Sequence, residues 1–269
     1  MRRGPLFWVE LAVAVSASLF LTVPVFLTVM TAFTANAFRG VRSGLTPGWI
    51  IKVLDTYGDT IFRSFYLALA ALACCLVLGL PLAYALVKFG KSKIAALIEE
   101  ALVLPLSVPG IAVGLGILLA WGQVSWFRHS WLFILAGHAV FCLPFMVRPV
   151  ASVLRVAPLD DQEEAARTMG AGFLTRFFGL VVPASAAGIV SGSLQVLTLS
   201  MGEFNISWML QTPFTRTLPV GLADSYASMR LEIGAAYTVV FLALIVPLLF
   251  ATQKIPALLG GIKPGRRSE

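Results

Sequence analysis

Six stretches of this chain are each long and apolar enough to cross a bilayer, and they leave room for little else. A spanning helix needs about 20 predominantly apolar residues. Runs of that kind extend from about Trp8 to Phe33, Phe62 to Val87, Leu97 to Gly122, Trp131 to Val150, Leu180 to Met201 and Gly234 to Thr252. The fifth has the softest boundary, because Gly202 to Leu210 mixes polar residues into an apolar background. The chain is 58% hydrophobic and 12% charged, more apolar surface than a soluble domain of 269 residues buries. The expected fold is therefore all-α, a polytopic membrane protein with six transmembrane helices.

The net charge of +7 does not point to nucleic acid, since Lys and Arg occur in small groups between apolar blocks and form no single basic face. Assigning alternate loops to opposite sides gives one side Arg2, Arg3, Lys88, Lys91, Lys93, Arg148, Arg155, Arg167, Arg176, Lys254, Lys263, Arg266 and Arg267. The other side receives Arg39, Arg42, Lys52, Arg63, Arg128, Arg216 and Arg230. Basic loops stay in the cytoplasm, so thirteen against seven predicts both termini on the cytoplasmic side. The small-residue pattern Ala35-Asn36-Ala37 resembles a signal-peptidase site, but the preceding apolar run is too long for a signal sequence. Cys74, Cys75 and Cys142 lie inside apolar stretches without metal-site spacing and read as small hydrophobes. No metal site is expected.

Three connections are long: Thr34 to Ile61 outside, Ala151 to Gly179 inside and Gly202 to Ile233 outside. None holds a phosphate-binding Gly-x-x-x-x-Gly-Lys-Ser/Thr loop, so no cofactor is expected on this chain and any ATP must act through a partner. The inside loop carries the most local information. Asp160 with Glu163 three residues on forms a capping-box pattern, and Asp161, Glu163 and Glu164 place negative charge at the positive end of a helix dipole. Gly170 suits a left-handed C-terminal cap. So short a helix is marginal alone, and Leu159, Ala166, Met169 and Phe173 fall near one face expected to dock against protein. On these grounds alone it is either a docking element or a capped link between two spans.

Glu164-Ala165-Ala166, three residues, Gly170, nine residues, then Leu180-Val181-Val182-Pro183 resembles the EAA motif of binding-protein-dependent ABC importer permeases. Leu180 and Val182 stand where Ile and Leu are usual. The wider likeness runs from about Phe62 to Gln253 and includes Leu104-Pro105-Leu106-Ser107-Val108-Pro109-Gly110 and Thr217-Leu218-Pro219-Val220, nearest to polyamine, ferric iron, sulfate and phosphonate permeases. The resemblance implies one permease domain over 1–269: an N-terminal helix and outer loop over about 1–60, a five-helix core over 61–253 with the coupling loop at 151–179, and a cytoplasmic tail over 254–269. It also implies that a short cytoplasmic coupling helix meets the ATPase through Glu163, Glu164, Ala165, Ala166, Arg167 and Gly170, with Pro183 closing the motif. The implied partners are ABC ATPase subunits carrying ATP and Mg, a second permease subunit, an extracytoplasmic solute-binding protein and membrane lipid. Arg167 is open to two readings, a pair with a partner carboxylate or a solvated surface charge.

Pro105, Pro109 and Gly110 should interrupt the third span, either to line a solute path or as a packing kink. Glu203 follows the fifth span, where an acidic group needs a partner or water, and it faces the translocation path or the outer mouth. Gly110/Gly114 and Gly188/Gly192 have the spacing of close helix contacts. His138 has no second ligand at metal spacing and reads as a hydrogen-bonded bundle residue. No arrangement suited to nucleophilic or acid-base catalysis is visible, so the chain is not expected to be an enzyme. A secondary transporter is the alternative; it would need intramembrane charges for ion coupling, and the span centres hold almost none.

Overall fold

The computed structural model describes residues 5–90 and 92–260. Arg2, Arg3, Lys91, Lys263, Arg266 and Arg267 of the charge asymmetry, and the end of the tail, lie outside them. The described residues are almost wholly helical, and their one strand-like feature is an isolated bridge between Thr34 and Leu45.

The chain opens with α1 (Pro5–Ala32), then a 3-10 turn (Gly40–Ser43) and α2 (Gly48–Lys88). Here the structure corrects the expected loop from Thr34 to Ile61, since its second half is already helix. At about 1.5 Å per residue, the 41 residues of α2 span roughly 60 Å, twice the ~30 Å hydrocarbon core. Lys52, Asp55 and Asp59 end the apolar run without ending the helix. Apolar length measures the bilayer crossing, not the element.

The third expected span is broken. It comprises α3 (Lys93–Ala101), α4 (Leu104–Ser107) and α5 (Gly110–Trp121), with a 110° bend before α5. Pro109 disfavours helical geometry in the residue before it, and Val108 is extended at φ −103° and ψ 136°. After the short α6 (Ser125–Arg128), α7 (Trp131–Val156) continues through Pro144 and Pro149 as one helix. A loop helix, α8 (Leu159–Thr168), follows.

The fifth expected span is also bent. It starts with α9 (Phe173–Arg176), a π-helical turn (Phe177–Val181) and α10 (Val182–Ala184), then turns by 74° into α11 (Ala186–Gly202). Pro183 lacks an N–H and cannot continue a regular ladder, and the wide turn before it accommodates the missing bond. At the bend the buried Ser185 hydroxyl donates to the carbonyls of Val181 (2.8 Å) and Val182 (3.1 Å). The chain continues through α12 (Asn205–Leu210), α13 (Leu218–Ala227) and α14 (Leu231–Gly260). Among the described residues four helices, α1, α2, α7 and α14, are long and apolar enough to cross a membrane, and up to six crossings result if each bent pair is one span.

By internal contacts the chain divides into two units. The first comprises residues 1–59 and 221–243. In it the Ala37 N–H donates to Glu232 (2.8 Å), Arg230 donates to the Tyr57 hydroxyl (2.9 Å), and the Tyr57 ring packs on Tyr237. The second comprises residues 60–220 and 244–269 and contains both bent pairs. Its core is built on α7, with Cys142, Met146, Val150 and Leu154 fully or nearly fully buried. Along α7 runs α11, brought close by Gly188 and Gly192. A Cβ on Gly188 would stand 2.7 Å from the Pro149 carbonyl oxygen, and one on Gly192 would stand 3.1 Å from the Met146 Cα. This glycine pair is a helix contact within the chain.

Candidate functional site: the loop helix and the broken spans

The loop between α7 and α11 folds as the sequence marks it at one end and differently at the other. At the C-terminus of α8, Gly170 adopts φ +83°, a left-handed conformation open to glycine at little cost. Its N–H donates to the Arg167 carbonyl (2.9 Å), and the Ala171 N–H donates to the Ala166 carbonyl (3.0 Å). This is the double bond of a Schellman cap. At the N-terminus the expected capping box is absent. Pro158 occupies the cap position without a side-chain bond, and both carboxylates of the expected box turn to α2.

That anchorage is the main polar structure of the site. Glu163 is 2% exposed. It accepts from the Tyr84 hydroxyl (2.6 Å) and from Lys88 Nζ (2.9 Å), while Asp160 accepts from the same Nζ (2.6 Å). Burial opposes ionisation of Glu163, but the bonds from Tyr84 and Lys88 outweigh it and hold the carboxyl below its usual range. The Lys88 hydrogen bond lowers Asp160 in the same direction at an exposed position. Tyr84 also packs against the rings of Phe173 and Phe177. Leu159, one turn before Glu163, is buried beside it in the core.

The opposite face of α8 is uncovered. Glu164, Ala165, Arg167 and Gly170 are exposed and Ala166 is half-buried. The expected apolar face is thereby divided: Leu159 is packed inside the chain, while Met169 is 80% and Phe173 55% exposed. The left-handed turn at Gly170 ends the helix, so the spacing that joined Phe173 to Leu159 does not carry across it. Pro183 is exposed beyond the π turn, apart from the α8 residues.

Among the residues expected near the broken spans, the structure brings Gly110 and Glu203 together. A Cβ on Gly110 would lie 3.4 Å from Glu203 Oε1 and 3.1 Å from the Asn205 Cβ. Pro109 sits at the bend itself, and Pro105 lies one short helix earlier. Glu203 is 9% exposed and accepts from the Ile206 N–H (2.6 Å), which fastens its carboxylate to the first turn of α12. Close by, buried His138 of α7 bonds Ser200 of α11 (2.8 Å) through Nδ1 and Ser207 of α12 (2.9 Å) through Nε2. One imidazole thus ties the segments on both sides of the α11–α12 break. Residues 200 and 207 carried no local signal, and neither did Tyr84 or Ser185, while Lys88 counted only as a basic loop residue. Among the described residues no group of His, Cys, Asp or Glu is arranged to hold a metal ion.

Comparison with known proteins agrees with this architecture. The family model for the binding-protein-dependent transport system inner membrane component matches residues 1–256. PotI, the putrescine transport system permease protein of Escherichia coli, is 28% identical over 233 residues, covering 82% of this chain and 81% of its own. PhnV of Salmonella typhimurium, a permease protein assigned to 2-aminoethylphosphonate transport, is 28% identical over 244 residues, covering 90% of this chain and 91% of its own. ModB, the molybdenum transport system permease protein of Escherichia coli, is 32% identical over 156 residues, covering 52% of this chain and 68% of its own. The chain belongs to the family of inner-membrane components of binding-protein-dependent transport systems, the permease subunits of ABC importers.

Proposed function

We propose that α8 is the coupling helix of this permease, lying on the cytoplasmic face and seated on a separate ATPase through Glu164, Ala165, Ala166, Arg167 and Gly170. The observation that carries this reading is the two-sidedness of α8. Its inner face is fastened to α2 by Glu163 and Asp160, while its outer face, with small side chains at exposed Ala165 and half-buried Ala166, is largely open among the described residues. Small residues let a partner approach the backbone closely. The Schellman cap at Gly170 fixes where the helix stops and how the chain re-enters the next span.

In this reading ATP and Mg are held by the ATPase, a second permease completes the pathway, and a solute-binding protein delivers cargo outside. ATP drives the ATPases together, and differential affinity for the closed state biases the permease between outward and inward arrangements. Broken helices at membrane depth line protected paths, which supports a place for Pro105, Pro109, Gly110 and Glu203 beside the pathway. The cargo is a small polar or charged solute, in line with the putrescine, 2-aminoethylphosphonate and molybdenum systems of the relatives. An ion-gradient mechanism receives no support from those relatives.

The test uses the complete importer in proteoliposomes, with solute-stimulated ATP hydrolysis and solute uptake measured together. Glu164→Ala and Gly170→Asp are expected to reduce uptake per ATP by about tenfold, Gly170→Asp because a side chain at positive φ costs roughly 1–2 kcal/mol. Intact assembly and intact coupled uptake in both variants would overturn the assignment.

A further inference from the structure

The exposed face of α8 explains where force enters, but the inner face raises a second question. Glu163 is buried beside two cations from different elements. Lys88 ends α2 and is bonded to it; Arg176 ends α9 and is not. Two Arg176 guanidinium nitrogens, Nε and Nη1, are buried without a hydrogen-bond partner among the described residues. A buried guanidinium nitrogen without an acceptor is costly, and such groups persist where another arrangement satisfies them. Arg176 precedes Phe177, whose ring lies 5.9 Å from that of Tyr84, and its charge acts on both Glu163 and the Tyr84 hydroxyl. Directly after it comes the π-helical turn Phe177–Val181, a local irregularity of the kind found where helices shift register.

We propose that Glu163 is a transmission residue that exchanges partners during transport, held by Tyr84 and Lys88 of α2 in the arrangement seen here and by Arg176 in the other. The proposal rests on α8 being the coupling helix. Displacement of α8 by the ATPase would carry the Glu163 carboxylate from the end of α2 toward the start of the bent fifth span. The lost bonds from Tyr84 and Lys88 are then replaced by the Arg176 guanidinium, whose planar fork suits a carboxylate. Asp160 rides on the same helix and leaves Lys88 with Glu163, but the Lys88 side chain is 26% exposed and its ammonium is taken up by water. The exchange therefore leaves neither charge bare, which is what lets a buried ion pair act as a switch rather than a fixed brace. Tyr84 and Arg176 are positioning residues in this scheme; neither touches cargo or nucleotide.

The experiment measures ATP hydrolysis without solute, and solute moved per ATP, in the reconstituted importer. Lys88→Met weakens one arrangement and Arg176→Gln the other. The two variants should therefore shift solute-free hydrolysis in opposite directions, each by about tenfold or more, the scale set by one hydrogen bond to a charged group. Both should lower solute moved per ATP. Complex recovered by affinity capture from detergent checks assembly, and Lys88→Arg and Tyr84→Phe serve if Lys88→Met fails to assemble. Lys88→Arg should restore native coupling, and Tyr84→Phe should shift hydrolysis in the Lys88→Met direction. Shifts of the same sign, or none, in assembled complexes overturn the exchange. If Glu164→Ala still uncouples in that case, the coupling helix stands and only the exchange fails. If Glu164→Ala is also silent, the coupling-helix reading itself fails.

Discussion

Glu163 and Glu164 are neighbours with opposite surroundings, and the difference follows from helical geometry alone. Leu159 and Glu163 are four residues apart on one face of α8, so burying the leucine brings the carboxylate inward with it. Glu164 lies about 100° around the helix and is exposed. The buried carboxylate survives because Tyr84 and Lys88 meet it. Their bonds lower its proton affinity in the folded state, so the stabilisation is complete above the ordinary glutamate value of about 4.3 and is lost as pH falls through the lowered folded value. The thermal midpoint of the detergent-solubilised permease should therefore fall on acidification from pH 6 to pH 3.5. Glu163→Gln should flatten this dependence and cost about 1.5–3 kcal/mol at neutral pH, the worth of hydrogen bonds to a charged group. An equally steep acid response in Glu163→Gln would assign the titration elsewhere, with Asp160→Asn the next variant to compare.

At the scale of elements, the contact between α7 and α11 gives the sharpest expectation. A methyl on Gly188 would press on the Pro149 carbonyl oxygen and the Val150 Cα, backbone atoms that cannot rotate away. Gly188→Ala should destabilise by about 1–3 kcal/mol. Gly116 of α5 has nothing near its Cβ direction, and Gly116→Ala should be neutral or stabilising by up to about 1 kcal/mol through backbone entropy. Unfolding midpoints of the two variants in one detergent would decide this; equal midpoints would show that the close approach does not limit packing. The same elements show what a sequence can declare. Gly170, Pro109 and the Gly188/Gly192 pair act through their own backbone, and each was readable from residue type and spacing. The anchors of α8 were not. Tyr84 and Glu163 are 79 residues apart and Lys88 and Asp160 are 72 apart, so nothing local to either partner signals the bond. The capping box misread for the same reason, since a carboxylate that fits a local cap can gain more from a distant lysine. The overlong α2 escaped because hydropathy stops at Phe62 while helix propensity does not.

For the molecule as a whole, the remaining arrangement to fix is which end of each span faces the cytoplasm. Thirteen Lys and Arg residues against seven favour the side of Lys88, Arg167 and Lys254, the side a coupling helix must occupy to reach ATP. The length of α2 adds an independent handle. Its apolar run begins near Phe62, and the thirteen or so residues before it, including Lys52 and Asp55, extend beyond the hydrocarbon core at the opposite end from Lys88. A cysteine at position 55 should therefore react with a membrane-impermeant maleimide in intact cells. Cysteines at 164 and 254 should react only after the membrane is opened. The native Cys75 and Cys142 are buried and Cys74 half-buried, so replacing all three with alanine removes background without touching α8 or the helix ends. Asp55→Cys labelled only in opened cells, with Glu164→Cys labelled in intact ones, would invert the topology. That result would place α8 away from ATP, and the coupling role proposed for it would fall with the orientation.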